Sequence, residues 1–325
     1  MSNGDGNVIF KAYTHKKISV RTFVVETERD IMKKILLIGA MTMAALAGCE
    51  TVDTMTESTV NQMAYSAKLD TILAAQPEKV QARYQYRNPK ETIEYFGIEP
   101  GMTVAEVLPG RGWYTKILMP YLGEDGHIVG IDYSIDHWSK FGGFATEEFL
   151  EGKKTWAAEW AADAAEWRNG VDTKISAFAF GSAPADMTGQ VDVIFLPRAI
   201  HHLNRFEQAN LGEAMMDMKK ILKPDGVVAV VAHRASEDND DDWANGDNGY
   251  MKESTVVQIM NEAGFELVGS SEINANPKDK ASSANEDMVW RLPPTLATSR
   301  DNPELKAKME AIGETDRMTL KFKLK

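Results

Sequence analysis

Short apolar runs of strand length recur along the chain from residue 103 onward, and segments with helical periodicity separate most of them. Runs that are apolar on both faces are typical of a parallel sheet covered by helices on both sides. The pattern predicts an α/β fold with a seven-stranded, doubly wound sheet that is mostly parallel and has an antiparallel last strand. That last strand alternates apolar and polar residues, as edge strands do. The predicted strands are residues 103–108, 127–132, 174–180, 191–197, 227–233, 265–273 and 318–324.

A helical insertion is predicted between the second and third strands, at about residues 140–170. Its tryptophans, Trp156, Trp160 and Trp167, are spaced by four and seven residues and therefore share one side of a helix. An aromatic stripe at this spacing is more typical of packing than of a ligand platform. We expect the insertion to cover the body of the domain, with a movable lid as the alternative.

The N-terminal residues follow the layout of an export signal. Two lysines after Met32 precede an apolar run that is too short to span a bilayer comfortably, and small residues lead to Cys49. The ending Leu-Ala-Gly-Cys resembles the lipobox of bacterial lipoproteins, in which the cysteine carries a diacylglycerol anchor. The alternative is a free cysteine at the end of a buried helix.

This resemblance divides the chain into segments. It implies a lipoprotein of the bacterial cell envelope that faces the periplasm and is held to a membrane through Cys49. Glu50 after the cysteine resembles the signal for the outer rather than the inner membrane. The predicted segments are an upstream extension without assigned structure (1–31), a signal peptide (32–48), a flexible tether (49–75) and a globular domain (76–325).

The charge balance narrows the range of partners. Acidic side chains outnumber basic ones by 48 to 36, which gives a formal net charge of -12. Such a surface repels phosphate backbones, so nucleic acid is not expected as a partner. Asp316 and Arg317, next to the last strand, are expected to form a local ion pair outside the site.

A glycine turn follows the first predicted strand, within the stretch Val104-Ala-Glu-Val-Leu-Pro-Gly-Arg-Gly-Trp-Tyr114. In a doubly wound sheet, such a turn points backbone amides and a helix N-terminus at the crevice where ligands bind. Dinucleotides require a third glycine for tight packing, whereas here Trp113 and Tyr114 follow Gly112 and would crowd a pyrophosphate. The turn therefore favours a ligand without phosphate.

S-adenosylmethionine is such a ligand, and acidic residues stand where it needs them. Glu106, two residues before the turn, can accept from its ammonium group. Asp132 comes 26 residues later, at the end of the second strand, and can accept both ribose hydroxyls. Tyr133 is placed to lie against the adenine, and the face of Trp113 or Tyr114 can attract the sulfonium by about 0.5–2 kcal/mol.

From residue 88 to residue 325 the chain resembles the class I S-adenosylmethionine-dependent methyltransferases. The most specific part is Gly97-Ile-Glu-Pro-Gly-Met-Thr-Val-Ala-Glu106, then Gly-x-Gly, then Val129-Gly-Ile-Asp132. More narrowly, it resembles a group of exported, predicted methyltransferases. The motifs that carry this narrower resemblance are Ala199-Ile-His-His202, His233-Arg-Ala235, Trp290-Arg-Leu-Pro-Pro294 and residues 313–322. The resemblance implies a Rossmann-like fold with S-adenosyl-L-methionine as cofactor.

Two positions depart from the family pattern. Leu108 stands at the family's first glycine, and Ser182 stands where an acidic residue often follows the third strand. The Leu108 amide can still serve provided that its φ is negative. The expected cofactor-binding residues are Glu106, Leu108, Gly110, Gly112, Tyr114, Asp132, Tyr133 and Ser182.

Three histidines are the candidate catalytic residues. His201 and His202 follow the fourth predicted strand, and His233 ends the fifth. At neighbouring strand ends they can abstract a proton or orient the methyl acceptor. The alternative for each is a hydrogen bond to loop backbone. A zinc site is disfavoured because the one cysteine, Cys49, is assigned to the lipid anchor and no two histidines have the HxxxH spacing.

The sequence therefore predicts S-adenosylmethionine-dependent methyl transfer to a small molecule or a cell-envelope component. The alternative is a non-catalytic envelope lipoprotein that retains the fold as a binding module. The departures at Leu108 and Ser182 favour this alternative, because they weaken the cofactor site.

Overall fold

A computed structural model describes residues 56–168, 170–206, 208–284 and 301–325. The predicted extension 1–31, the signal peptide 32–48, the lipidation site Cys49 and the motif at 290–294 lie outside the described residues. Across the described part of the chain, no helix combines the length and the apolar character that a membrane span requires.

The predicted strands are present and form one mixed sheet. The strands of the described chain are β1 (Thr103–Val107), β2 (His127–Asp132), β3 (Lys174–Ala179), β4 (Val191–Pro197), β5 (Leu222–Ala235), β6 (Met251–Lys252), β7 (Phe265–Ser271) and β8 (Arg317–Leu324). Seven of them follow the order β3-β2-β1-β4-β5-β8-β7, and the short β6 pairs with the end of β5. Strands β1 to β5 pair in parallel, whereas β8 runs antiparallel to both β5 and β7. This doubly wound, mostly parallel sheet with an antiparallel β8 has the Rossmann-like topology predicted from the sequence, and it confirms the predicted fold class.

The last strand is not at the edge of the sheet, contrary to the prediction from its alternating pattern. β8 lies between β5 and β7, and Met318, Leu320 and Phe322 on one of its faces are fully buried. The strand at this edge of the sheet is β7, where Leu267 and Val268 are exposed. Alternation records which face of a strand is more deeply buried, and it does not record whether a further strand pairs alongside.

Helices cover both faces of the sheet. Along β1, Ala105 and Val107 belong to one buried apolar cluster and Val104 belongs to another, so each face has its own core. The helices of the described chain are α1 (Glu57–Ala74), α2 (Glu78–Gln81), α3 (Tyr84–Arg87), α4 (Pro89–Phe96), α5 (Thr115–Leu122), α6 (Ile135–Ser139), α7 (Glu147–Lys153), α8 (Trp156–Glu166), α9 (Ile200–Asn204), α10 (Gln208–Ile221), α11 (Glu253–Glu262) and α12 (Pro303–Ile312).

Helix α1 replaces much of the flexible tether predicted for residues 49–75. Its Leu69 and Leu73 lie one turn apart and are buried against α4 and α5. Thr56 caps its start by accepting a hydrogen bond from the Thr59 amide. The prediction is wrong for 57–74 because few apolar positions anchor this helix, so its sequence shows only weak periodicity.

The predicted insertion forms α6, α7 and α8 between β2 and β3. Trp160 is buried against Gly130 of β2, and its ring stacks on Trp156 with centroids 5.9 Å apart. The tryptophan stripe is therefore packing, as expected. Helix α7 differs from α8 because none of its residues is fully buried.

Candidate functional site

The site lies where β1 and β4 run side by side and the chain order of the sheet reverses, the usual ligand crevice of such sheets. Each of these strands is followed by a residue with positive φ, Leu108 (54°) after β1 and Arg198 (63°) after β4. Their amides donate to the next strand, from Leu108 to the Ile131 carbonyl at 2.7 Å and from Arg198 to the Val231 carbonyl at 2.6 Å. The expectation of a negative φ at Leu108 is therefore wrong. Left-handed non-glycine residues are strained, and such residues concentrate at functional sites.

The two glycines of the turn have different surroundings. Gly110 has a φ of 55°, and the nearest atom to a Cβ placed there is the Leu108 carbonyl oxygen at 4.0 Å. At Gly112, with a φ of 72°, a Cβ would overlap the indole of Trp167. The turn is thus open to a ligand at Gly110, whereas an indole that follows α8 covers Gly112.

Glu106 is a buried acid beneath the start of α5. Its Oε2 accepts a hydrogen bond from the Thr115 hydroxyl at 2.6 Å. Burial raises the pKa of Glu106 to about 8, although Thr115, Arg198 and Arg87 act against that rise. At neutral pH the group is therefore mostly a neutral carboxylic acid, poised to ionise when a cation approaches.

Asp132 ends β2 as predicted, but the protein itself satisfies its carboxylate. Oδ1 accepts from the Tyr133 amide at 2.8 Å and from the Trp138 indole at 3.1 Å. Oδ2 pairs with the Lys153 ammonium of α7 at 2.7 Å, and Lys153 also lies over the Trp138 ring. The carboxylate is 2% exposed, and burial raises its pKa despite Lys153. In this arrangement Lys153 and Trp138 occupy the position predicted for ribose.

Three other predicted cofactor residues already have protein partners in this structure. Tyr133 is buried and donates to the Ala199 carbonyl at 2.7 Å, and its role beside adenine stays a prediction. Tyr114 is also buried, with its ring 4.8 Å from that of Phe195. The Ser182 hydroxyl is exposed and donates to the Ala179 carbonyl at 2.6 Å. Aromatic rings at a strand end serve the core as readily as a ligand, and sequence alone does not separate the two uses.

The structure brings the three predicted histidines together in a histidine cluster, defined as His201, His202 and His233. The ring centroids of His201 and His202 are 4.0 Å apart, and those of His201 and His233 are 5.4 Å apart. His233 Nδ1 lies 2.6 Å from the Thr315 hydroxyl, which is a side-chain partner rather than loop backbone. Within the described residues, no group of three His, Cys, Asp or Glu side chains is arranged to hold a metal.

Burial keeps the histidine cluster neutral. It lowers the pKa of His201 and of His233 well below 6.5, and nearby Arg198 lowers both further. Burial, with Arg205, lowers the pKa of His202 to about 3. Neutral imidazoles can accept a proton, but positive charge around them weakens them as bases.

An arginine cluster that no sequence pattern indicated lies beside these histidines, and we define it as Arg83, Arg87, Arg198 and Arg317 around Glu314. Arg83 pairs with Glu314, Arg87 Nε lies 3.2 Å from its Oε2, and Arg317 Nη2 lies 3.3 Å from the same oxygen. Burial alone would raise the pKa of Glu314, but the arginines together lower it, so the carboxyl is ionised.

The arginine cluster was missed because its members come from α3 and the residue before it, from the end of β4 and from the start of β8. Only the spacing of Arg83 from Arg87, and of Glu314 from Arg317, suggests shared faces. The predicted Asp316–Arg317 ion pair is wrong, because Asp316 Oδ2 pairs with Arg234 Nε at 2.9 Å.

The chain matches no protein-family model and no curated protein sequence. Among solved structures it is similar to a SAM-dependent methyltransferase from Aquifex aeolicus, with 20% identity over 63% of this chain and 93% of that one, at a TM-score of 0.41. A didemethyltoxoflavin N1-methyltransferase from Burkholderia thailandensis has 12% identity over 85% and 93%, at a TM-score of 0.43. The [4+2]-cyclase SpnF has 15% identity over 83% and 96%, at a TM-score of 0.46. Identities and TM-scores this low do not assign a function to the chain.

Proposed function

We propose that the protein is a methyltransferase that uses S-adenosylmethionine and acts on a small molecule or a component of the cell envelope. The observation that carries the proposal is the Asp132 carboxylate. It is buried at the end of β2, beside the turn that follows β1, and its charged partner comes from a surface helix. A carboxylate at this place in a doubly wound sheet is suited to accepting ribose hydroxyls.

The carboxyl and backbone groups at this site are of the chemical types that can bind S-adenosylmethionine. Asp132 would hold the ribose, and Glu106 would accept from the ammonium group. The backbone around Gly110 would approach the amino-acid end, because no protein atom lies close to that glycine's open side. The cofactor, when bound, supplies a methyl group on a positively charged sulfur.

Binding would require the insertion to move. Ribose can reach Asp132 only when the Lys153 ammonium and the Trp138 indole leave the carboxylate. Helix α7 contains no fully buried residue, but its Phe149 and Leu150 pack against the core and Trp138 of α6 is 8% exposed, so opening the site exposes these three apolar side chains. We infer that the described arrangement is a closed state in which Lys153 competes with the cofactor.

The acceptor would bind on the other side of the switch point, near the histidine cluster. Methyl transfer depends mainly on positioning, and a base is needed only when the acceptor arrives protonated. The neutral imidazoles of His201, His202 and His233 can take that proton.

The place of action is a second part of the proposal. The lipobox-like ending at Cys49 supports an envelope lipoprotein that faces the periplasm. Metabolic lipid labelling of the full chain and of Cys49→Ser tests it. We expect label on the first and none on the second, and equal labelling of both would refute the anchor.

Calorimetry with S-adenosylhomocysteine tests the cofactor assignment. We expect the full chain to bind in the micromolar range. Asp132→Asn should bind at least about tenfold more weakly, because hydrogen bonds to a charged group contribute about 1.5–3 kcal/mol. Asp125→Asn, in an exposed turn before β2, is the matched control and should bind like the unaltered protein. Full affinity in a folded Asp132→Asn protein would refute the ribose placement.

The alternative is a non-catalytic binding module, and one observation favours it. Protein side chains already satisfy Asp132 and cover Gly112. If Lys153→Ala also fails to bind S-adenosylhomocysteine, the closure is permanent and the alternative is correct.

A further inference from the structure

We propose that the arginine cluster binds an anionic group, a carboxylate or a phosphate, carried by the methyl acceptor. As an acceptor site it rests on the proposed methyltransferase function, whereas the affinity for anions does not. The cluster would hold the acceptor by Arg198, Arg87 and Arg317 and present its reacting atom near the histidine cluster.

The first argument is the charge balance. Three guanidinium groups contact one ionised carboxylate, Glu314, which is 1% exposed, and the charge of a fourth, Arg198, acts on it from beyond ion-pair distance. Arg198 also lowers the pKa of Glu106, but burial keeps that pKa at about 8, so this carboxyl is mostly neutral at pH 7. Three arginines share the single charge of Glu314, so the cluster carries an excess of positive charge in a region where Arg87 and Arg317 are almost fully buried. Buried charge of this kind is costly unless a counter-charge joins it.

The second argument is the supply of unused donors. Arg87 Nη2 and Arg317 Nε are buried and have no hydrogen-bond partner. Across the described residues, no carboxylate lies within ion-pair distance of Arg198. Planar guanidinium groups with free N–H donors recognise carboxylate and phosphate oxygens well.

The third argument is the position of Arg198. Its backbone has a φ of 63°, and its amide donates to the Val231 carbonyl, so the residue is fixed in a strained conformation at the end of β4. The end of β4 is the switch point of the sheet, and His201 follows Arg198 by only three residues. Burial and Arg87 lower the pKa of Arg198 to about 9, which indicates that its surroundings disfavour the positive charge that it still carries at neutral pH.

The net charge of the cofactor makes the methyl acceptor the better occupant of the arginine cluster. S-adenosylmethionine carries one carboxylate, one ammonium and one sulfonium, so its net charge is positive. Bringing it beside the excess positive charge of the arginines would be repulsive unless another group supplied negative charge. An anionic acceptor supplies that charge, and it also raises the basicity of the histidines that the arginines now weaken.

Titration calorimetry with inorganic phosphate and, separately, with succinate tests the inference on the full chain at constant ionic strength. We expect saturable binding of at least one of them, with a Kd on the order of 1 mM or tighter. Arg198→Gln should weaken binding at least about tenfold, since a charged bidentate contact is lost. Arg198→Lys should fall between the two, because it keeps the charge and loses the fork.

The matched control is Arg205→Gln. Arg205 is the next arginine along the chain and already pairs with Asp247 at 3.1 Å, so its loss should change anion affinity less than twofold. Equal losses of anion affinity in Arg198→Gln and Arg205→Gln would show that anions respond only to the overall charge of the protein. That result would overturn the inference. The same would follow if neither phosphate nor succinate bound.

A parallel titration with S-adenosylhomocysteine separates the two proposals. Anion binding without S-adenosylhomocysteine binding would refute the methyltransferase and leave the anion site in place. S-adenosylhomocysteine binding without anion binding would do the reverse. If phosphate displaced S-adenosylhomocysteine and Arg198→Gln weakened both ligands equally, the cluster would hold the cofactor carboxylate, and the acceptor site would be wrong.

Discussion

Two neighbouring regions at the same edge of the sheet meet their electrostatic needs in opposite ways. At the ends of β1 and β2, the charge of Asp132 is balanced by Lys153 and its remaining oxygen by backbone and indole N–H groups. At the end of β4 and the start of β8, the arginine cluster has more positive charge than Glu314 can balance. The first region is complete without a ligand, and the second is not.

The difference follows from the elements that build each region. The partner of Asp132 comes from α7, a surface helix without a fully buried residue, so that region can open. The arginine cluster is built on strands and short helices that are packed into the core, and Arg87 and Arg317 are 1% and 2% exposed. We therefore expect ligand affinity to depend on movement of α7 at the first region, and on the fixed positions of the arginines at the second.

The largest effect is expected when the single counter-charge of the arginine cluster is removed. Glu314→Gln should lower the free energy of unfolding by about 3–5 kcal/mol, as breaking a buried ion pair on one side does. Urea unfolding measures it, and saturating phosphate should restore part of the loss. Glu310→Gln, on the exposed side of α12, is the control and should change stability by less than about 0.5 kcal/mol. A similar small loss in Glu314→Gln would show that the arginines are already compensated.

The next effect is acid destabilisation. All five histidines of the described residues have lowered pKa values, mainly through burial: to about 4 in His127 and His137, about 3 in His202, and well below 6.5 in His201 and His233. Below pH 6.5 the unfolded chain therefore binds more protons than the folded one, and stability falls as pH drops from about 6.5 toward 4. Glu106, with its pKa raised to about 8, and Asp132, whose pKa is also raised, act in the opposite direction, but they are two groups against five histidines.

Urea unfolding between pH 7 and 5.5 should show a loss of about 2–4 kcal/mol, since each extra proton contributes about 1.4 kcal/mol per pH unit. Saturating phosphate should reduce the slope, because an anion among the arginines raises the pKa of His201 and of His233. Arg198→Gln should remove that effect of phosphate. A slope that phosphate leaves unchanged would separate the histidines from the anion site.

A smaller effect is expected at the other region. Lys153→Ala should cost about 1–2 kcal/mol of stability, because a partly buried ion pair is lost. Its affinity for S-adenosylhomocysteine should rise about three- to tenfold, because the competitor for Asp132 is gone. Lys154→Ala is the control, since Lys154 is 57% exposed and pairs with Glu151 on the surface. Equal affinity in the two variants would show that Lys153 does not compete.

The sequence was sufficient for the fold because the strands are short apolar runs whose order follows from the repeated strand and helix pattern. It was also sufficient to place Asp132 and the histidines at strand ends, since a parallel sheet brings such ends together. It was not sufficient to predict which side chains pair with one another. Lys153 reaches Asp132 across 21 residues, and Arg87 reaches Glu314 across 227, distances over which pattern carries no information.

Leu108 is the residue at which sequence and structure together give the sharpest small prediction. The family pattern has glycine there, and the leucine adopts a φ of 54° all the same. A left-handed side chain costs about 1–2 kcal/mol, and glycine returns about 0.5–1 kcal/mol of that through its flexibility in the unfolded chain. Leu108→Gly and Leu108→Ala lose the same packing, so their difference isolates the backbone strain. We expect the glycine variant to be more stable by about 0.5–1 kcal/mol in urea unfolding. An alanine variant of equal or greater stability would mean that the turn relaxes when the leucine is removed, and that the strain serves no purpose at the site.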